Sequence, residues 1–254
     1  MQNIGLISII MAAYNAERTI GQAIESVLAQ SYNNWELIIV NDCSTDKTAT
    51  QINKYQDSRI IKLNNASNMG VSLTRLRAVQ EAKGEWIAVL DSDDAWTPDK
   101  LEKQVLHQIK SNANLLYTGS AFMKSDGSPI GWTLHVPEKI TYRKLLKQNL
   151  ISNSSVLVRK RLYQAYQIQA ANIHEDYACW LGCLRDGEIA FGIDEPLLIY
   201  RLSPNSKTGN KLKSAKMNWN TYQAVGIGPM QAAYYMVFYA INGLVKYRQI
   251  KSHQ

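Results

Sequence analysis

Acidic side chains fall at two places where their spacing could do chemistry. The sharper cluster is Asp91-Ser-Asp-Asp94, directly after the apolar run Trp86–Leu90. Carboxylates this close repel one another unless a cation neutralises them. Hard oxygen ligands suit Mg2+ or Mn2+, ions usually shared with substrate phosphates. A structural alternative is an acidic turn ahead of a helix starting near Pro98. The second run, Asn41-Asp42-Cys-Ser-Thr-Asp46, follows the apolar segment Trp35–Val40. A helix cap at Ser44 or Asp46 explains part of it, with Ser44 the expected cap. Asp42 comes before the cap and is left to accept a hydrogen bond from a ligand.

The surrounding pattern says what must position these groups. Leu6–Met11, Trp35–Val40, Ile60–Leu63 and Trp86–Leu90 read as short buried strands. Between them, 16–30 (with Asn15 as N-cap), 44–55 and 71–82 read as helices, with Gly84 after the last. Strands alternating with helices imply a parallel sheet with right-handed crossovers. Ligands bind beyond the carboxyl ends of such strands, and those ends present Tyr14, Asp42 and the Asp91 cluster. Beyond Pro98 the pattern is mixed. A helix over 99–110, a hairpin of 115–123 with 130–134, strands at 153–158, 189–193 and 197–201, and a helix Glu175–Arg185 extend the same sheet. At the head of that helix, Glu175 and Asp176 complement its dipole.

The 254 residues, 46% hydrophobic and 19% charged, suit one large α/β domain with an appendage. Three cysteines make no secreted disulfide framework and fit a reducing cytosol. The first eleven residues lack the basic start and cleavage site of a leader. Every acid lies before Pro204, and the net charge of +7 resides in Lys207, Lys211, Lys213, Lys216, Lys246, Arg248 and Lys251. Charge confined to a tail disfavours nucleic acid, which wants a basic groove, and suits an anionic membrane surface better. From Met217 to Val245 the tail runs 29 residues without a charge, rich in aromatic residues but interrupted by Gly226, Gly228 and Pro229. Two readings stay open: a helix at headgroup level, or a helical pair packed on the protein's own core.

Taken together, Ile10-Met-Ala-Ala-Tyr-Asn15, Val40-Asn-Asp-Cys-Ser-Thr-Asp46, Asn68-Met-Gly-Val-Ser-Leu-Thr-Arg75, Gly84-Glu-Trp-Ile-Ala-Val-Leu-Asp-Ser-Asp-Asp94 and Glu175-Asp176 resemble the inverting family 2 glycosyltransferases in order and spacing. The resemblance covers residues 4–205 and implies a GT-A fold, a mostly parallel Rossmann-like sheet flanked by helices. On that basis 1–100 would be the nucleotide-sugar half, 101–205 a mixed acceptor-side half of the same domain, and 206–254 a helical tail. It implies that Ala13, Tyr14 and Glu17 line the base and ribose pocket and that Asp42 hydrogen-bonds the base. Arg75 would sit by the phosphates, and Asp91, with Ser92 beside it, would approach the ribose. Asp93 would hold Mg2+ or Mn2+ on the diphosphate, and Asp176 would be the catalytic base. The implied reaction moves a sugar from a nucleotide sugar, in the first place a UDP-sugar, to a glycan or lipid-linked acceptor. The implied setting is bacterial surface polysaccharide (O-antigen, capsule or lipopolysaccharide), in the cytoplasm at the inner face of the membrane.

Departures from the family pattern are Ala12 in place of a common Pro, Leu76 in place of an Asn, and Ser203 where relatives often place a metal- or phosphate-binding His. Ser206 and Lys207 are candidate contacts to the diphosphate. Cys179 and Cys183, four apart beside His174, could suggest zinc, but buried free cysteines are often small hydrophobes. No Gly-rich dinucleotide or P-loop motif follows the first strand. Two rival readings are a sugar-nucleotide-forming nucleotidyltransferase, and a non-catalytic glycan- or membrane-binding protein on the same scaffold.

Overall fold

Apolar residues in the first four strands alternate between two cores, and that alternation fixes the sheet. The computed structural model describes residues 3–168, 170, 172–202 and 211–251, with the backbone alone for Lys211 and for 244–251. Its elements in chain order are β1 (Ile7–Ala13), α1 (Ile20–Leu28), β2 (Trp35–Asn41), α2 (Thr48–Asn53), β3 (Ile60–Asn64), α3 (Val71–Glu81), β4 (Trp86–Val89), β5 (Ala95–Trp96), α4 (Lys100–Ser111), β6 (Leu115–Met123), β7 (Pro129–Leu134), β8 (Lys139–Ile140), α5 (Tyr142–Lys147), a 3-10 turn (Asn153–Ser155), β9 (Leu157–Arg159), α6 (Lys160–Tyr166), α7 (Glu175–Arg185), β10 (Ala190–Arg201), α8 (Lys211–Ala224) and α9 (Pro229–Lys251). The strands form one sheet in the order β3-β2-β1-β4-β9-β6-β10-β5, with β7 on β6 and β8 on β10.

Strands β1 to β4 are parallel neighbours joined by helical crossovers. Strand β9 then lies antiparallel between β4 and β6 and joins the second half to the first without a break. Ile10, Ile38, Val40, Ile87 and Val89 face one core, under α3, α7 and α8. Ile7, Ile9, Met11, Leu37, Ile39 and Ala88 face the other, under α1 and α4. Burying one such side chain contributes about 1.5–3 kcal/mol, so slipping a strand by one residue would forfeit a whole face. At the amino ends of the strands, Gly84 passes so close to β1 that a Cβ there would lie 2.4 Å from the Leu6 carbonyl oxygen.

Several local expectations need correcting. Helix α1 starts at Ile20, and Asn15 is not its cap. Asn15 adopts a left-handed φ of 48°, and its Oδ1 accepts from the Thr45 amide at 2.9 Å. Ser44 does not cap α2 either. Its hydroxyl donates to Asn41 Oδ1, while Asp46 Oδ1 accepts from the Thr48 amide at 2.9 Å at the helix start. Residues 153–158 divide into the 3-10 turn and β9. The two strands expected over 189–201 are one long strand, β10, with a register shift between Ile193 and Leu198.

The tail is a helical pair. Helix α8 is held by Thr221 and Tyr222, both buried. Helix α9 rests on it through Ala232, Tyr235 and Met236. No helix among the described residues is long and apolar enough to cross a membrane. Ser203, Pro204, Ser206 and Lys207 lie outside the described residues, as do the side chains of Lys211, Lys246, Arg248 and Lys251.

Candidate active site

The carboxyl ends of β1, β2 and β4 open on one rim. Ala13 ends β1 with its side chain in the α1-side core, so only its backbone lies at the rim. Tyr14 beside it is 51% exposed. Glu17 accepts the Lys47 amide at 3.0 Å and so ties the loop after β1 to the loop after β2.

Asp42 differs from the expectation of a carboxylate left for a ligand. It is buried, and its Oδ1 accepts from the Met69 amide at 2.8 Å and Asn65 Nδ2 at 2.7 Å. Its Oδ2 accepts from the Gly70 amide at 2.9 Å. Burial alone would raise its pKa, but the bonds from Met69, Asn65, Gly70 and Thr74 outweigh burial and lower it. Asp42 therefore pins the 65–70 loop that leads into α3. Gly70 enters that helix at φ +81°, a conformation that favours glycine.

Arg75, on α3, is the hub. Its side chain is 8% exposed, and it donates Nη2 to Asp91 Oδ1 and Nη1 to Glu175 Oε1, the latter at 3.5 Å. Burial opposes its charge, but Asp91, Glu175 and Asp176 around it raise its pKa and keep it a cation. Arg75 thus brings the sequence-predicted Asp91 together with Glu175, the neighbour of Asp176, and a cavity of about 10 Å3 lies between Arg75, Tyr163, Glu175 and Asp176. Arg75 Nε and Asn153 Oδ1, both buried, have no hydrogen-bond partner among the described residues. Burial, and then the Glu175 charge, raise the pKa of Asp176, while His174 and Arg75 oppose them. A larger hollow of about 470 Å3, between Glu85, Asn114, Arg159 and Arg161, lies at the other end of β4 and gathers no comparable acids.

The three aspartates after β4 have different surroundings. Asp94 is buried and structural, accepting from the Arg201 amide at 2.9 Å and Ser154 Oγ at 2.6 Å. Asp93 is partly buried, as is Ser92. Burial, and then the Asp91 charge, push the Asp93 carboxyl up to about 6. A divalent cation would relieve that repulsion, so Asp93 and Asp91 fit one as oxygen donors. Among the described residues no three His, Cys, Asp or Glu side chains form a closed metal site. An open site completed by substrate phosphates is the arrangement that suits Mg2+ or Mn2+.

Sequence reading missed Arg201, Ser154 and Asn65. Arg201 Nε donates to the Asp93 carbonyl at 2.8 Å, holding the acidic loop from β10. The only sequence signal was a polar residue ending an apolar strand.

A family model described as "Glycosyl transferase family 2" matches residues 8–164. The chain belongs to glycosyl transferase family 2. Curated relatives match along nearly its whole length. It is 39% identical to a Bacillus subtilis protein, TuaG, named for a glycosyltransferase of teichuronic acid biosynthesis, over 95% of this chain and 97% of that one. It is 37% identical to an Escherichia coli protein, WfgD, over 95% of each chain. WfgD is named as a UDP-Glc:alpha-D-GlcNAc-diphosphoundecaprenol beta-1,3-glucosyltransferase. The fold is similar to that of Staphylococcus aureus TarS, solved with UDP-GlcNAc, at a TM-score of 0.72 and 16% identity, covering 90% of this chain and 69% of that one. Family membership favours the transferase over both rival readings, and the match in fold supports the GT-A architecture.

Proposed function

We propose that this glycosyltransferase moves a hexose from a UDP-sugar to a lipid-diphosphate-linked sugar, with inversion, in the assembly of a bacterial surface polysaccharide. The observation that carries the reading is Arg75, which bridges Asp91 on the donor side to Glu175, the neighbour of Asp176. The UDP-Glc and diphosphoundecaprenol in the name of WfgD support the donor and acceptor classes.

Residues 1–100 would bind the donor and 101–205 the acceptor, with 206–254 as a tail. Tyr14, the Ala13 backbone and Glu17 would line the nucleoside, with Asp42 holding the 65–70 loop beside the base. Arg75 and Asp91, with Ser92, would lie by the ribose and phosphates. Asp93 would hold Mg2+ or Mn2+ on the diphosphate, where such an ion supplies positive charge for the leaving group. An acceptor hydroxyl is a poor nucleophile, so Asp176 takes its proton as the oxygen bonds to the anomeric carbon. The bond from that carbon to phosphate breaks on the opposite face, and its electron pair leaves with the nucleoside diphosphate. A lipid-linked acceptor would put the reaction in the cytoplasm, at the inner face of the membrane.

The test is a panel of nucleotide sugars with a short-chain lipid-diphosphate acceptor. UDP release and an inverted anomeric configuration by NMR are expected. Pyrophosphate released from a nucleoside triphosphate and a sugar phosphate, or retention at the anomeric carbon, would overturn the reading.

A further inference from the structure

Helix α9 has an outer face that nothing among the described residues covers. Met230, Tyr234, Val237 and Ile241 are 89%, 54%, 56% and 54% exposed. Their spacing of four, three and four residues puts them on one stripe, about 17 Å long at helical rise. Single exposed apolar residues are ordinary, whereas a continuous stripe marks an interaction surface. The opposite side of α9 is committed to the core. Ala232 is buried, Tyr235 packs on Tyr222 with ring centroids 6.1 Å apart, and Tyr239 Oη meets Ser214 Oγ at 2.9 Å.

The stripe's neighbour in the fold is α5, far away in sequence. Lys147 Nζ lies 5.1 Å from the centroid of the Phe238 ring, and Asn242 Nδ2 donates to the Lys147 carbonyl at 3.2 Å. The Phe238 ring in turn lies 5.1 Å from that of Tyr234. Arg143, Lys144 and Lys147 are all exposed. No Asp or Glu occurs from Lys139 to His174, nor anywhere from Met217 onward. Lys147 thus lies beside the stripe's aromatic neighbour, and neither α5 nor α9 carries an acidic residue.

We propose that this α5–α9 face seats on an anionic lipid bilayer, with the stripe at headgroup depth and Arg143, Lys144 and Lys147 on the lipid phosphates. Charge decides between the possible occupants. A second copy related by a two-fold axis would bring these cations towards their own kind, whereas anionic headgroups complement them. The proposal rests on the lipid-linked acceptor reading for its purpose but not for its test. The tail also reaches the site, because Thr221 Oγ1 on α8 accepts the His174 amide at 2.9 Å, one residue ahead of α7. A bilayer under α9 therefore stands in fixed relation to the helix that carries Asp176.

The test is flotation of the full-length protein with phosphatidylcholine vesicles, with and without phosphatidylglycerol, and with no acceptor present. Binding is expected only to the anionic vesicles and should weaken with salt. V237E/I241E should abolish it. R143Q/K144Q/K147Q should weaken it roughly a hundredfold, at about fivefold for each cation. Both variants should keep wild-type donor binding by calorimetry, which shows that they fold. Equal flotation of wild type and both variants would overturn the proposal. So would a wild-type dimer that ignores vesicles and that V237E/I241E dissociates. Vesicle binding without any UDP-sugar binding would instead sink the transferase reading and leave this one standing.

Discussion

Arg75 and Glu175, 100 residues apart in sequence, meet at 3.5 Å between Nη1 and Oε1. The same guanidinium holds Asp91. One buried cation therefore joins the strand end that would face the donor to the helix that would carry the base. Removing one partner of a buried ion pair leaves uncompensated charge and costs about 3–5 kcal/mol. R75M should lose about that much in urea denaturation, and R75K should lose less because it keeps the charge. A loss below about 1 kcal/mol in R75M would mean that the cluster is already neutralised by solvent.

Asp176 must be ionised to accept a proton. Burial, followed by Glu175, raises its pKa, so kcat/KM should fall as pH drops through a value above the ordinary carboxylate range near 4. E175Q removes the like charge, and the acid limb of the pH profile should move to lower pH. An unmoved limb would take Glu175 out of the account.

Asp42 gains its low pKa from bonds to the 65–70 loop, against the effect of burial. An acid lowered in the fold adds stability that is present above its unfolded pKa and lost as pH falls through the folded one. D42N should cost about 1–3 kcal/mol at neutral pH and lose the wild type's destabilisation at acid pH. Hydrogen exchange at the Met69 and Gly70 amides should quicken, since both donate to that carboxylate. Unchanged protection there would show the loop to be held by other contacts.

Asp93 is the carboxylate proposed to share a cation with substrate phosphates. Calorimetry should find UDP binding tightened by Mn2+ in the wild type and indifferent to it in D93N, with equal affinities in EDTA. Metal-dependent binding retained by D93N would move the cation to another residue.

The first half of the fold was legible because its signal is strong and periodic. Buried runs such as Trp35–Val40 have few alternatives to a parallel strand, and the helix Glu175–Arg185 has the bounds its pattern gave. What stayed hidden is decided by contacts across loops. Asn15 has a cap's composition, yet its bond to Thr45 across the rim determines its place. Ser154 and Arg201 are ordinary residues in sequence, and only the antiparallel entry of β9 and the length of β10 bring them to Asp94. Asp42 was rightly placed at a strand end, but its partners lie at 65–70, beyond any local pattern. Asp91 and Asp93 were legible from their positions after a strand, whereas Asp176, at a helix start, was marked only by the family resemblance, and Arg75 only as one member of a motif.

The most direct measurement is sugar transfer by D176N beside its donor binding. Burial raises the Asp176 pKa in the fold, so the charged carboxylate opposes folding more as pH rises through that range. The Asn variant should therefore be at least as stable as the wild type at pH 7. With Mn2+, UDP-sugar binding should match the wild type while kcat falls about 10²–10⁴-fold. Turnover near wild type in a folded, donor-binding D176N would contradict the assignment of the base.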